Sequence, residues 1–158
     1  MARYEATIDI ARPPRVVFDF FDTPENAPRY VEGTVTTTLI GGVRKGVGTR
    51  VIRVTIANRA TPLDATEEVV EYVDGSLKRS RGTAHWYAHY EAVMRVEPAD
   101  TGSRVTLIYD YRPTVTAILV LPFWPLFLLA MRGRMQKMAA AAKRVLEAED
   151  AGAYRAAG

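Results

Sequence analysis

The sequence contains no cysteine and only two histidines among its 158 residues. Without cysteine the chain has no disulfide bond, no thiolate nucleophile and no cysteine-based metal site. The two histidines, His85 and His89, lie in an aromatic and β-branched segment that is typical of a strand. Four residues along a strand separate their imidazoles by about 13 Å, which is too far to share one ion. We therefore predict that the protein binds no metal.

An excess of charge of one sign is also lacking. Lysine and arginine number 21 against 18 aspartates and glutamates, which gives a net charge of +3. So small an excess does not indicate a nucleic-acid partner, and we expect none. The first residues already begin a strand, so we expect no signal peptide, and the absence of cysteine fits a reducing compartment. Together these features favour a cytoplasmic protein.

A phosphate-binding loop is missing as well. The glycine-rich segment 41–49 has no Gly-Lys-Ser/Thr ending, and it leads into a strand. Phosphate-binding loops lead instead into the N-terminus of a helix, where free N–H groups face the anion. We therefore expect no cofactor.

Residues 4–31 predict a strand followed by two short helices. Apolar and polar side chains alternate over residues 4–10, which is the period of a half-buried strand. Pro13 and Pro14 end the strand because proline has no N–H to donate, and both suit a first helical turn. Pro24 starts a second short helix, and Pro28 limits its length.

The remaining chain predicts six further strands and one long helix. The strands are Thr34–Ile40, Arg50–Ala57, 65–73, 77–81, 85–97 and 104–112. Over residues 126–149 apolar side chains recur every three or four positions, which predicts an amphipathic helix. The length indicates one domain, over residues 1–150, and the patternless residues 151–158 are expected to fray.

Several short segments carry a resemblance to a known family. They are residues 8–18, Asp22, Pro28-Arg-Tyr30, Gly46-Val-Gly-Thr49, Thr101-Gly-Ser-Arg-Val-Thr-Leu107 and the arginine-rich helix 132–144. In this order they resemble the START-like, or SRPBCC, superfamily, and within it the polyketide cyclase/dehydrase branch. The resemblance implies an α+β helix-grip fold: a curved antiparallel sheet wrapped around a long C-terminal helix, with two short helices after the first strand. It also implies an apolar cavity between sheet and helix, but no shared catalytic motif.

Aromatic residues and methionines are the candidate ligand-binding groups. In the strands 85–97 and 104–112 the more apolar alternate set is expected to face the cavity, and the other set, including His89, to face outward. Methionine suits the wall of a pocket because it is flexible and polarizable. The candidate ligand-binding residues are Trp86, Tyr90, Tyr109, Tyr111, Phe123, Trp124, Phe127, Met131 and Met135.

Charged side chains are expected to be exposed. Arg53 alternates with apolar neighbours in its strand, and solvent exposure is the default for a guanidinium without a known carboxylate partner. Glu67, Glu68 and Glu71 are expected to form a solvated face rather than a pair of catalytic carboxylates.

The segment 115–131 carries no charge. A transmembrane helix needs about 20 such residues, and Pro122 and Pro125 interrupt this one, so we expect no membrane span. Three interpretations remain open: a buried connection into the final helix, an apolar lid over the cavity mouth, or a surface patch. Such a patch, within residues 117–131, would serve peripheral membrane contact or a homodimer.

The predicted function is to bind a lipophilic small molecule in the internal cavity, with transport of that molecule as an extension of the same role. One alternative is a polyketide cyclase or dehydratase that uses acid–base groups in the same cavity. Tyr90, Tyr109 and His85 are the candidate catalytic residues, but they form no pair in sequence. A second alternative is a peripheral membrane or partner-binding module that uses residues 117–131.

Overall fold

The computed structural model describes residues 2–57, 61–84, 88–113 and 124–156. Within these ranges the strands are β1 (Ala2–Ile10), β2 (Thr34–Ile40), β3 (Arg50–Ala57), β4 (Thr61–Val73), β5 (Leu77–Ala84), β6 (Ala88–Ala99) and β7 (Gly102–Pro113). The helices are α1 (Pro14–Asp22), α2 (Ala27–Tyr30) and α3 (Trp124–Ala156), with a short 3₁₀ turn at Pro24–Asn26.

The described strands form one antiparallel sheet in the order β1-β7-β6-β5-β4-β3-β2. Strands β2 to β7 pair one after another in the order of the sequence. Strand β1 pairs with β7 and forms the other edge of the sheet. The long helix α3 and the short helices after β1 complete the predicted α+β helix-grip fold, which is thereby confirmed.

The alternation of β4 is interrupted by a β-bulge between Val69 and Glu71. Before the bulge Glu67 and Val69 face the inside of the sheet, and after it Tyr72 does so. The extra residue therefore changes which side chains face inward, because a bulge shifts the two-residue period by one. Strict alternation over residues 65–73, as the sequence suggests, would have placed Tyr72 outside.

Helix α3 packs one apolar stripe against the inner face of the sheet. Met135, Met138, Ala142 and Leu146 are all buried in the core. Polar contacts hold the helix against the end of β1. Lys143 Nζ donates to the Asp9 carbonyl oxygen at 2.7 Å, and Glu147 accepts from the Ala11 N–H at 3.0 Å.

The ends of α3 and β4 differ from the sequence prediction. Helix α3 already includes Trp124 and Pro125, ahead of the expected start at residue 126. It continues through residues 151–156, for which the sequence shows no pattern. Strand β4 extends back to Thr61, ahead of the expected start at residue 65, and it includes Pro62 because proline is tolerated near the start of a strand. No helix among the described residues is long and apolar enough to cross a bilayer.

Gly102 allows β7 to start beneath the β1–α1 connection. Its φ is +143°, and a Cβ built on it would lie 2.3 Å from the Ile10 carbonyl oxygen. The next residue, Ser103, donates a 2.5 Å hydrogen bond to the Arg12 carbonyl oxygen. The close approach of two backbone segments therefore requires a residue without a side chain.

We predict that Gly102→Ala lowers the free energy of unfolding by about 1–3 kcal/mol, because the new methyl group overlaps the backbone. Gly133→Ala is the matched control. Gly133 lies within α3, and nothing approaches its Cβ position within 4 Å. That change should raise stability by up to about 1 kcal/mol through helix propensity. Urea denaturation measures the free energy of unfolding of both variants. Equal changes in Gly102→Ala and Gly133→Ala would contradict the prediction.

Candidate functional site

A cavity lies between the inner face of the sheet and α3. The part that the described residues enclose measures about 60 Å³. A single water needs about 10–15 Å³, so this part of the space holds a few waters. Its lining combines apolar and polar side chains: Phe21, Tyr30, Arg53, Glu67, Lys78, Ser80, Ala92, Val93, Met94, Leu107, Tyr109 and Met138.

Arg53 and Glu67 form an ion pair in the wall of this cavity. The Arg53 guanidinium lies 3.5 Å from the Glu67 carboxylate, and their side chains are only 19% and 11% exposed. The expectation that both face solvent is therefore wrong. Neighbouring strands β3 and β4 bring the two together on the inner face, where each neutralises the other and the cost of burial falls. Glu68 and Glu71, on the outer face, are exposed as expected.

Two hydroxyl groups complete the surroundings of Glu67. Ser80 Oγ donates to one carboxylate oxygen at 2.5 Å, and the Tyr90 hydroxyl donates to the other at 3.1 Å. Burial by itself would raise the pKa of Glu67, but Arg53, Lys78 and these hydrogen bonds outweigh it and lower the pKa. Glu67 is therefore held as a carboxylate at neutral pH.

Gly82 is what lets Tyr90 reach Glu67. Gly82 lies between them on β5, opposite Glu67 on β4 and opposite Tyr90 on β6. A Cβ on Gly82 would lie 2.6 Å from Cζ of Tyr90. The tyrosine ring thus crosses the bare backbone of β5, and no other residue at position 82 leaves room for that contact.

A second buried ion pair joins Lys78 to Asp22. Their charged atoms are 3.1 Å apart, and the side chains are 15% and 11% exposed. The Tyr72 hydroxyl donates to Asp22 at 2.8 Å and contacts Asp74 at 3.1 Å. Burial, followed by the hydrogen bond to Asp22, raises the pKa of Tyr72. The sequence carries no local signal for this pair, since its members lie 56 positions apart and only the resemblance singles out Asp22.

Three tyrosines form a cluster on the inner face of β6 and β7. The ring centroids of Tyr90, Tyr109 and Tyr111 lie about 6 Å from one another. Their inward orientation agrees with the alternation in the sequence, and His89 is exposed as expected. Burial is the main cause of a raised pKa at both Tyr90 and Tyr109. Their hydroxyl groups therefore stay protonated at neutral pH.

The other candidate residues divide into two groups. Met135 is buried in the core, while Met138, one turn later on α3, lines the cavity. His85, Trp86 and Phe123 lie outside the described residues. Trp124, Phe127 and Met131 belong to α3, but their side chains also lie outside what is described. The ligand-binding role of every candidate remains a prediction, as does the absence of a metal.

We predict that Arg53→Met lowers the free energy of unfolding by roughly 3–5 kcal/mol, because it leaves a buried carboxylate without its cation. The double variant Arg53→Met/Glu67→Leu should be more stable than the single one, since it removes both charges. Urea denaturation of the two variants provides the comparison. A double variant less stable than Arg53→Met would contradict the pairing.

The free energy of unfolding of Arg53→Met should also depend on pH in a defined direction. With Arg53 gone, burial raises the folded-state pKa of Glu67 above its unfolded value of about 4.3. When the pKa of a buried group is higher in the folded state than in the unfolded state, stability is fully retained below the unfolded-state pKa. It is lost as the pH rises through the folded-state pKa. The deficit relative to the wild type should therefore be larger at neutral pH than at pH 4, which denaturation at both pH values measures.

Comparison with known proteins agrees with this architecture. The structure resembles TTHA0849 from Thermus thermophilus (TM-score 0.77, 20% identity, 93% of this chain and 98% of that one). It also resembles the Zhui aromatase/cyclase from Streptomyces sp. R1128 (TM-score 0.75, 14% identity, 92% and 93%) and Ara h 8.0201 (TM-score 0.72, 14% identity, 92% and 97%). At these identities the likeness shows the fold alone. No curated protein matches the chain.

A family model described as "Polyketide cyclase / dehydrase and lipid transport" matches residues 1–147. The match covers nearly all of the strands and helices described above, and it confirms the resemblance that the sequence motifs carry. The chain belongs to the polyketide cyclase/dehydrase and lipid transport family.

Proposed function

We propose that the protein binds a lipophilic small molecule, and carries it, in the cavity between the sheet and α3. The observation that carries the proposal is the mixed wall of this cavity. Phe21, Leu107 and Met138 supply apolar surface, while two ion pairs and the tyrosine hydroxyls lie beside them. Apolar surface with a few placed polar groups is the usual composition of a small-molecule site.

Arg53 is the group best placed to orient such a ligand. Its Nε is buried and has no hydrogen-bond partner among the described residues. A buried donor without a partner costs free energy, and an oxygen atom of a ligand would recover it. We therefore expect the ligand to carry at least one acceptor oxygen on an otherwise apolar body, which replaces a water at Arg53.

The charges in the wall favour a ligand without net charge. Arg53 is balanced by Glu67, and Lys78 by Asp22. A charged ligand would leave one charge uncompensated in a space with little water, which is costly. A ketone, phenol or alcohol fits this balance better than a free carboxylate does.

The shifted pKa values favour binding over acid–base catalysis. A cyclase or dehydratase needs a group whose pKa lies near the working pH. The pKa of Glu67 is lowered, and those of Tyr90 and Tyr109 are raised, so all three move away from neutrality. These groups are suited to form hydrogen bonds rather than to exchange protons. Turnover of a polyketide-like substrate by the purified protein would reverse this conclusion.

We predict that Ala92→Leu weakens binding of a neutral polycyclic fluorescent probe at least tenfold, because the larger side chain fills the cavity. Ala92 lines the cavity and is 6% exposed. Ala148→Leu, at an exposed position of α3, is the control and should bind as the wild type does. Fluorescence titration measures affinity, and circular dichroism checks that both variants fold.

Native mass spectrometry of the purified wild type tests the same proposal without a probe. A lipophilic molecule that accompanies the wild type, but is lost from Ala92→Leu, is the expected result. Equal probe affinity in Ala92→Leu and the wild type would place the binding site elsewhere.

A further inference from the structure

The part of α3 from Trp124 to Leu146 carries positive charge without negative charge. From Trp124 to Leu146 the helix contains five basic residues and no acidic one. Two of the five are engaged: Lys143 with the Asp9 carbonyl oxygen and Arg134 with the Glu32 carbonyl oxygen. The other three, Arg132, Lys137 and Arg144, are exposed, and no ion pair of theirs is found within the described part of the chain.

Four arginines of the sheet provide a contrast. Arg3, Arg79, Arg81 and Arg104 are each paired with a carboxylate on the same or a neighbouring strand. These four charges are neutralised locally, whereas those of Arg132, Lys137 and Arg144 on α3 are not. Arg50, Arg95 and Arg112 of the sheet are likewise exposed without an ion pair among the described residues, and they provide a comparison for the charges of α3. A face with several unpaired cations attracts an anionic surface.

The same face has a groove and an exposed apolar residue. Arg29 of α2, which pairs with Glu149, lies across a groove from Lys137 and Arg144. The groove has a volume of about 450 Å³, and its lining also includes Ala140, Ala141 and the acidic Glu32. Leu129 is 72% exposed, two turns before Lys137 on the outward stripe of the helix. It follows a segment, 115–128, that contains no charged residue in the sequence.

We propose that this outward face of α3, defined by Leu129, Arg132, Lys137 and Arg144, docks on an anionic phospholipid membrane. Cations next to exposed apolar side chains match the boundary between headgroups and acyl chains. A nucleic acid would satisfy the cations but would leave Leu129 uncovered, whereas the boundary of a bilayer accommodates both. The proposal is independent of which ligand, if any, the cavity holds.

Vesicle co-sedimentation with the full chain tests the proposal. We expect the wild type to bind vesicles of phosphatidylcholine mixed with phosphatidylglycerol, and not vesicles of phosphatidylcholine alone. Each basic residue near an anionic surface contributes about fivefold to binding, so Lys137→Gln/Arg144→Gln should reduce the partition coefficient roughly 25-fold. Added salt should weaken wild-type binding, because screening reduces the attraction.

The control variant is Arg95→Gln/Arg112→Gln, which changes net charge equally. Both residues are exposed on the outer face of β6 and β7, on the side of the sheet away from α3. It should retain binding within about twofold. Equal losses in the two variants, equal binding to neutral vesicles, or no vesicle binding at all would overturn the proposal.

A single substitution keeps the test possible if the double variant does not fold. If Lys137→Gln/Arg144→Gln loses its native circular dichroism, Arg132→Gln is used instead, with an expected loss of about fivefold. Unchanged vesicle binding by a folded Arg132→Gln would equally count against docking through α3.

Discussion

The negative charge of Glu67 inside the sheet is the constraint that organises the site. A carboxylate in this position is stable only with a cation and hydrogen-bond donors around it. Arg53 supplies the cation, and Ser80 and Tyr90 supply the donors. Gly82 then follows as a requirement, because the ring of Tyr90 must cross the backbone of β5 to reach its partner. Residues on the four consecutive strands β3 to β6 thus stabilise the charge of the Glu67 carboxylate.

A second set of charges ties the cavity to the helices after β1. Asp22, at the end of α1, pairs with Lys78 in the cavity wall, and Tyr72 links Asp22 to Asp74 in the β4–β5 turn. Outside the cavity, Arg15 and Lys45 both bridge Asp19 and Asp74. These exposed bridges are individually weak, but together they join α1, the 41–49 loop and the hairpin turn at one end of the cavity.

The two sides of α3 have different chemistry. The buried side presents Met138 to the cavity, and the outward side presents unpaired cations. One helix therefore separates a compartment suited to a neutral lipophilic molecule from a surface suited to an anionic bilayer. Such an arrangement places the proposed ligand site one helix diameter from the proposed membrane contact.

The sequence by itself determined the order of the strands and helices, the family and the inward face of β6 and β7. The family rests on the resemblance of several short motifs, and the other two features rest on local signals, namely two-residue and 3.6-residue periods and proline positions. Only the tertiary structure decided the burial of Arg53 and Glu67 and the inward turn of Tyr72. A charged residue has no local signal for burial, because its partner comes from another strand and a bulge can change the face that it occupies.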